Sequence, residues 1–112
     1  MGPCARQGLG RAMKLGILVN TDRHLEHVVG LARAAAGQNH EVVIFAMDAG
    51  TRLMESELFV ALADLEGVSM SLCDHSARER GIATDELSAA ITVGSQLNNA
   101  MMYHGADRVI VL

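Results

Sequence analysis

Beyond its first dozen residues the chain alternates short, densely apolar runs with longer stretches in which apolar residues recur at helical spacing. The run Leu15-Gly16-Ile17-Leu18-Val19 is almost wholly apolar, as in a parallel strand covered on both faces. Asn20-Thr21-Asp22 ends it, and Thr21 or Asp22 offers a side-chain oxygen to cap a following helix. In that helix Leu25, Val28, Val29 and Ala32 follow the i, i+3, i+4, i+7 spacing of one face, with Glu26 in the first turn and Gly37 at the exit. A second buried strand is predicted over 41–47, around Val42-Val43-Ile44-Phe45, and Asp48-Ala49-Gly50 turns the chain. Met54, Leu58, Ala61, Leu62 and Leu65 then mark a helical face before Gly67.

The second half is patterned less regularly. Residues 68–72 give a weaker third strand, because Ser69 and Ser71 alternate with Val68, Met70 and Leu72, and it ends at Cys73. A short helical stretch runs to about Gly81, and Thr84-Asp85-Glu86-Leu87 reads as a helix start. Ser95 opens a further helix with Leu97, Ala100 and Met101 on one face and Gly105 as its stop; Val109-Ile110-Val111-Leu112 reads as a final buried strand. No internal repeat, low-complexity tract or linker interrupts the series. The expected fold class is α/β: one open, mostly parallel sheet flanked by helices on both faces.

Length and composition narrow this picture. At 112 residues the chain is sized for one domain. Hydrophobic residues are 50% and charged residues 20% of it, so a packed core is expected and disorder is not. Residues 1–12, rich in Gly and Arg and without apolar periodicity, read as a disordered N-terminal extension to a domain over 13–112. A net charge of -4, with aromatic residues at 3%, provides neither a basic footprint nor stacking platforms for nucleic acid. No apolar stretch approaches the roughly 20 residues of a membrane span, and no secretory signal is evident, so a cytoplasmic protein is expected.

Ligands of open parallel sheets sit at the carboxyl ends of the strands. Three polar segments fall there: Asn20-Thr21-Asp22, Asp48-Ala49-Gly50 and Cys73-Asp74-His75. Cys73 is the candidate nucleophile. A thiol at a strand end and at the first turn of a helix meets unpaired N–H groups and the positive end of the helix dipole, both of which favour thiolate. Arg78 and Arg80 add positive charge nearby and Asp74 opposes it. The competing reading is a small, buried apolar cysteine. The other cysteine, Cys4, lies in the extension and reads as incidental.

The segment Cys73-Asp74-His75-Ser76-Ala77-Arg78-Glu79-Arg80-Gly81 resembles the DsrE/DsrF-like (TusD-type) family of small sulfur-relay proteins, in which an active cysteine follows the third strand and an Arg-Gly pair ends the next short helix. The opening strand into Asn20-Thr21, the Asn39-His40-Glu41-Val42 entry to strand two and the closing Ala106-Asp107-Arg108-Val109-Ile110-Val111 extend the similarity over residues 13–112. The resemblance implies a DsrE-like, flavodoxin-like domain. It also implies a sulfur carrier that takes sulfane sulfur onto Cys73 as a persulfide and passes it to a partner thiol, with His75 or Arg78 steadying the anion. Sulfur donor and acceptor proteins, a homotrimer or homohexamer, and no cofactor are implied with it.

Other constellations carry less. His24 and His27 share a helix face, but no third ligand can be named and no metal site is expected. His40 falls in a turn, and His104 complements the end of the last helix. Gly8-Leu9-Gly10 fails the dinucleotide fingerprint, no Ser-His-Asp arrangement can be argued, and the seven Met residues read as core or interface filler. The alternative to a carrier is a non-catalytic oligomeric module that binds a small ligand or a partner's tail. Exposure of the Cys73 sulfur separates the two. A flavin or nucleotide binder is a weaker third reading, since the loops lack aromatic residues.

Overall fold

The computed structural model describes residues 12–112. The predicted extension up to residue 11, with Cys4, lies outside the described residues. Five strands form one sheet: β1 Lys14–Val19, β2 Glu41–Ala46, β3 Val68–Cys73, β4 Ile91–Gly94 and β5 Arg108–Val111. Their order is β4-β3-β2-β1-β5 and every pairing is parallel. All five carboxyl ends therefore lie along one edge.

The period of two along each strand divides the apolar residues between two faces. Ile17 and Val19 of β1, Val42, Ile44 and Ala46 of β2, and Met70 and Leu72 of β3 face the larger core. They meet Val28 and Ala32 of α1 Leu25–Gly37, Phe59 of α2 Glu57–Val60 and Ala77 of α3 Asp74–Glu79. The other face is a smaller cluster of Leu18, Phe45, Cys73 and Met102, the last from α4 Gln96–Gly105. Helices thus cover both faces, as the strand pattern requires. Phe45 and Phe59 are fully buried, each contributing roughly 1.5–3 kcal/mol of transfer free energy.

Several local expectations are corrected. Helix α1 is capped by neither Thr21 nor Asp22: it begins at Leu25, and His24 stands at the N-cap without a side-chain bond. The Thr21 hydroxyl instead donates to the Leu112 carbonyl at 3.4 Å, tying the end of β1 to the neighbouring strand's exit. The helix expected through Met54 and Leu65 is broken into a 3-10 segment Asp48–Glu55, the single turn of α2 and a 3-10 turn Ala61–Asp64. Extended Ser56 (φ -96°, ψ 126°) interrupts it and resets the phase, so that Phe59 is buried and Leu58 is exposed.

Thr84-Asp85-Glu86-Leu87 forms turns and no helix, and the four-residue strand β4 follows it. That strand is too short for its alternation to stand out. Helix α4 starts after Ser95 as expected, but Met102 is its buried residue while Leu97 and Met101 face outward. Strand β5 lies at the sheet edge rather than inside, and its Ile110 and Val111 are exposed. Among the described residues no helix is long and apolar enough to cross a membrane.

Candidate functional site

Two features of the sequence bring Cys73 to its position. The apolar alternation of β3 puts Ser69, Ser71 and Cys73 on the same face, and Cys73 is both the last strand residue and the N-cap residue of α3. Its register partner on β4 is Gly94. The chain leaves β4 through a capping box, in which Ser95 Oγ accepts from the Leu97 N–H at 3.2 Å and Asn98 Oδ1 accepts from the Ser95 N–H at 3.0 Å. A Cβ at Gly94 would lie 2.1 Å from that same Oδ1. Glycine there leaves room for the Asn98 side chain to fold back, and the box sets Gln96 beside the cysteine.

Cys73 is 4% exposed, and it lines an open cavity of about 720 Å³. The walls come from three strand ends. Met47 and Asp48 follow β2; Cys73, Asp74, His75, Ser76 and Glu79 belong to the end of β3 and to α3; Gly94, Ser95 and Gln96 follow β4. The β2 exit is fixed by its own bonds: the buried Thr51 hydroxyl donates to the Asp48 carbonyl at 2.8 Å and the Gly50 N–H to the Met47 carbonyl at 2.9 Å. Asp48 takes a left-handed conformation there, φ 49°, which Asp tolerates better than most residues.

Burial is the largest influence on the Cys73 thiol and pushes its pKa up. Against it act hydrogen bonds from the Ser76 hydroxyl, the Ser76 N–H, the Gln96 side-chain amide and the His75 N–H, and together they bring the thiol below its ordinary value. Local donors therefore favour the thiolate. Helix α3 has six residues, too few for a substantial macrodipole.

No cation is among the influences on the thiol. Arg78 Nε contacts Asp74 Oδ2 at 2.8 Å, and His75 Nε2 contacts Glu79 Oε2 at 3.4 Å. The His75–Glu79 pair is largely exposed and Arg78 is exposed against a half-buried Asp74, so both pairs reach solvent and are weak. Of the residues singled out from the sequence, Cys73, Asp74, His75 and Asp48 share the cavity wall, whereas Arg78, Asn20 and Thr21 do not line it. Asn20 and Thr21 follow β1, two strands from β3 and so about 9.5 Å away across the sheet. Ser76 and Gln96, which bond the sulfur, carried no sequence signal of their own. Among the described residues no group of three or more His, Cys, Asp or Glu is placed to hold a metal ion.

Replacing Ser76 by alanine removes a hydroxyl donor to the anion and leaves the backbone donors in place. The thiol pKa is expected to rise, so alkylation by iodoacetamide at neutral pH slows severalfold and its pH–rate profile moves to higher pH. An unchanged profile would show that the hydroxyl does not stabilise the thiolate.

A family model described as the DsrE/DsrF-like family matches residues 13–112. No curated protein matches the chain. Among solved structures the fold is similar to the crystal structure of the ychN protein from E. coli, with a TM-score of 0.65 and 16% sequence identity over 91% of this chain and 100% of that one.

Proposed function

This chain belongs to the DsrE/DsrF-like family, a family associated with sulfur relay, and on that premise we propose that it is a cytoplasmic sulfur carrier of the TusD type working through Cys73. The observation that carries the reading is a single thiol, held below its ordinary pKa by four hydrogen-bond donors, on the wall of an open cavity at the carboxyl edge of the sheet. Thiolate fraction and access govern sulfur exchange, and this arrangement supplies the first while the cavity offers a route for the second.

The proposed step is balanced within the thiol chemistry. Cys73–S⁻ attacks the outer sulfur of a donor R–S–SH; a sulfur–sulfur bond forms to Cys73 and the donor's bond breaks, giving Cys73–S–SH and R–S⁻. A partner thiolate R′–S⁻ then attacks the outer sulfur in turn, giving R′–S–SH and restoring Cys73–S⁻. No cofactor or external oxidant enters. The Ser76, His75 and Gln96 donors that hold the thiolate suit it as a leaving group in the second step. Donor and acceptor proteins, and assembly as a homotrimer or homohexamer, are part of this reading.

One observation favours the alternative of a non-catalytic binding module, namely the small exposure of Cys73. Incubation with a persulfide donor, followed by intact-mass analysis and fragmentation, distinguishes the two. One added sulfur located on Cys73, retained in Cys4→Ser, is the expected result. No uptake, with Cys73 also inert to alkylation, would leave the binding module.

A further inference from the structure

The charges around the cavity bear on what kind of sulfur donor or acceptor can approach. Three carboxylates lie on its wall, Asp48, Asp74 and Glu79, and no Lys or Arg is among its lining residues. Arg78 offsets Asp74 from outside the wall. Asp48 comes from a different element than the α3 carboxylates, so the negative charge faces the opening from two sides. The chain as a whole carries -4, and a negatively charged cleft raises the local concentration of cations and depletes anions.

We infer that the Cys73 cavity selects cationic sulfur partners: a cysteine flanked by Lys or Arg in a partner protein, in preference to anionic small-molecule persulfides or thiosulfate. This rests on the reading of Cys73 as an exchanging thiol and specifies its partner. The cavity, at about 720 Å³, lies within the range of sites that enclose a ligand of several side chains' bulk. An anionic donor would bring its charge, together with the developing R–S⁻, against Asp48 and Glu79; a basic segment would place counter-charges there. Complementarity of this kind acts mainly on the encounter rate and on discrimination between partners.

Disulfides of different charge test the selection without requiring sulfur relay. In each case Cys73–S⁻ attacks R–S–S–R to give Cys73–S–S–R and R–S⁻. Using the Cys4→Ser chain, rates would be measured with cystamine (a dication), bis(2-hydroxyethyl) disulfide (neutral) and glutathione disulfide (a dianion). The ratio of cystamine to glutathione disulfide is divided by the same ratio for a neutral blocked cysteine amide. It is expected to be about tenfold at low ionic strength and to fall toward one as the Debye length shrinks from roughly 30 Å at 0.01 M to 3 Å at 1 M. Glu79→Gln and Asp48→Asn should each lower it, and Asn also suits the left-handed backbone at 48.

A normalised ratio near one at low salt, with Cys73 reacting readily, would overturn the selection and leave the carrier reading standing. A ratio that neither salt nor the two variants reduce would also overturn it, since contacts other than these carboxylates would then be responsible. Inertness toward all three disulfides would remove both the selection and the carrier reading beneath it.

Discussion

Cys73→Ser is expected to abolish sulfur uptake from a persulfide donor while leaving the domain folded. A hydroxyl ionises far above the thiol range and forms no persulfide, so the loss should be complete rather than graded. The surroundings support a folded variant. The serine oxygen is smaller than sulfur, and the Ser76, Gln96 and His75 donors that bond the sulfur remain available to it. The cost is lost apolar contact with the Leu18, Phe45 and Met102 cluster, on the order of 1 kcal/mol. Intact mass after donor treatment, alongside a thermal melt, checks both halves. Full uptake by a folded Cys73→Ser chain would show that the sulfur goes elsewhere.

The largest effect on stability is expected at Gly50, four residues past the end of β2. A Cβ there would lie 2.1 Å from the Val19 carbonyl oxygen and 2.7 Å from its carbon. Both are backbone atoms at the end of β1, and the same carbonyl accepts from the Met47 N–H at 2.9 Å. No rotamer change relieves the contact, so β1 and the loop must separate. Gly50→Ala should therefore cost about 3 kcal/mol or more, at the upper end for overpacking. That is a large share of the roughly 5–15 kcal/mol that holds a domain together, and a fall in Tm of more than about 10 °C is expected. A Tm within about 2 °C of the native chain would mean that the loop accommodates the methyl group. The cavity should suffer with the fold, because Asp48 belongs to the same segment.

The fold was legible where burial imposes one period over a whole element. β1 and β2 are covered on both faces, and their apolar runs say so; α1 buries Val28 and Ala32 at helical spacing. The pattern misled where packing rather than local preference decides. Leu58 and Phe59 are adjacent and both apolar, and only the break at Ser56 determines which faces inward. The run at 109–112 looks like a buried strand, yet a strand at the sheet edge retains the same residues with one side open. β4 was missed because four residues carry too little alternation to outweigh the turn-forming residues before them. The cysteine and the side chains next to it in sequence could be found from the strand-end rule. The Gln96 donor could not, because it depends on β4 lying beside β3.

The capping box after β4 binds two positions into a single hereditary unit. A side chain at 94 collides with Asn98 as it is now folded, and Asn98 in that position is what leaves 94 no alternative to glycine. A lineage that replaces Gly94 first loses the reciprocal bond and disturbs the helix start that presents Gln96, whereas one that replaces Asn98 first relaxes the demand for glycine. The easier evolutionary route out of this arrangement therefore runs through position 98, with position 94 free to drift only afterwards. In a tree of related sequences, departures from glycine at 94 should be nested within branches that have already lost asparagine at 98.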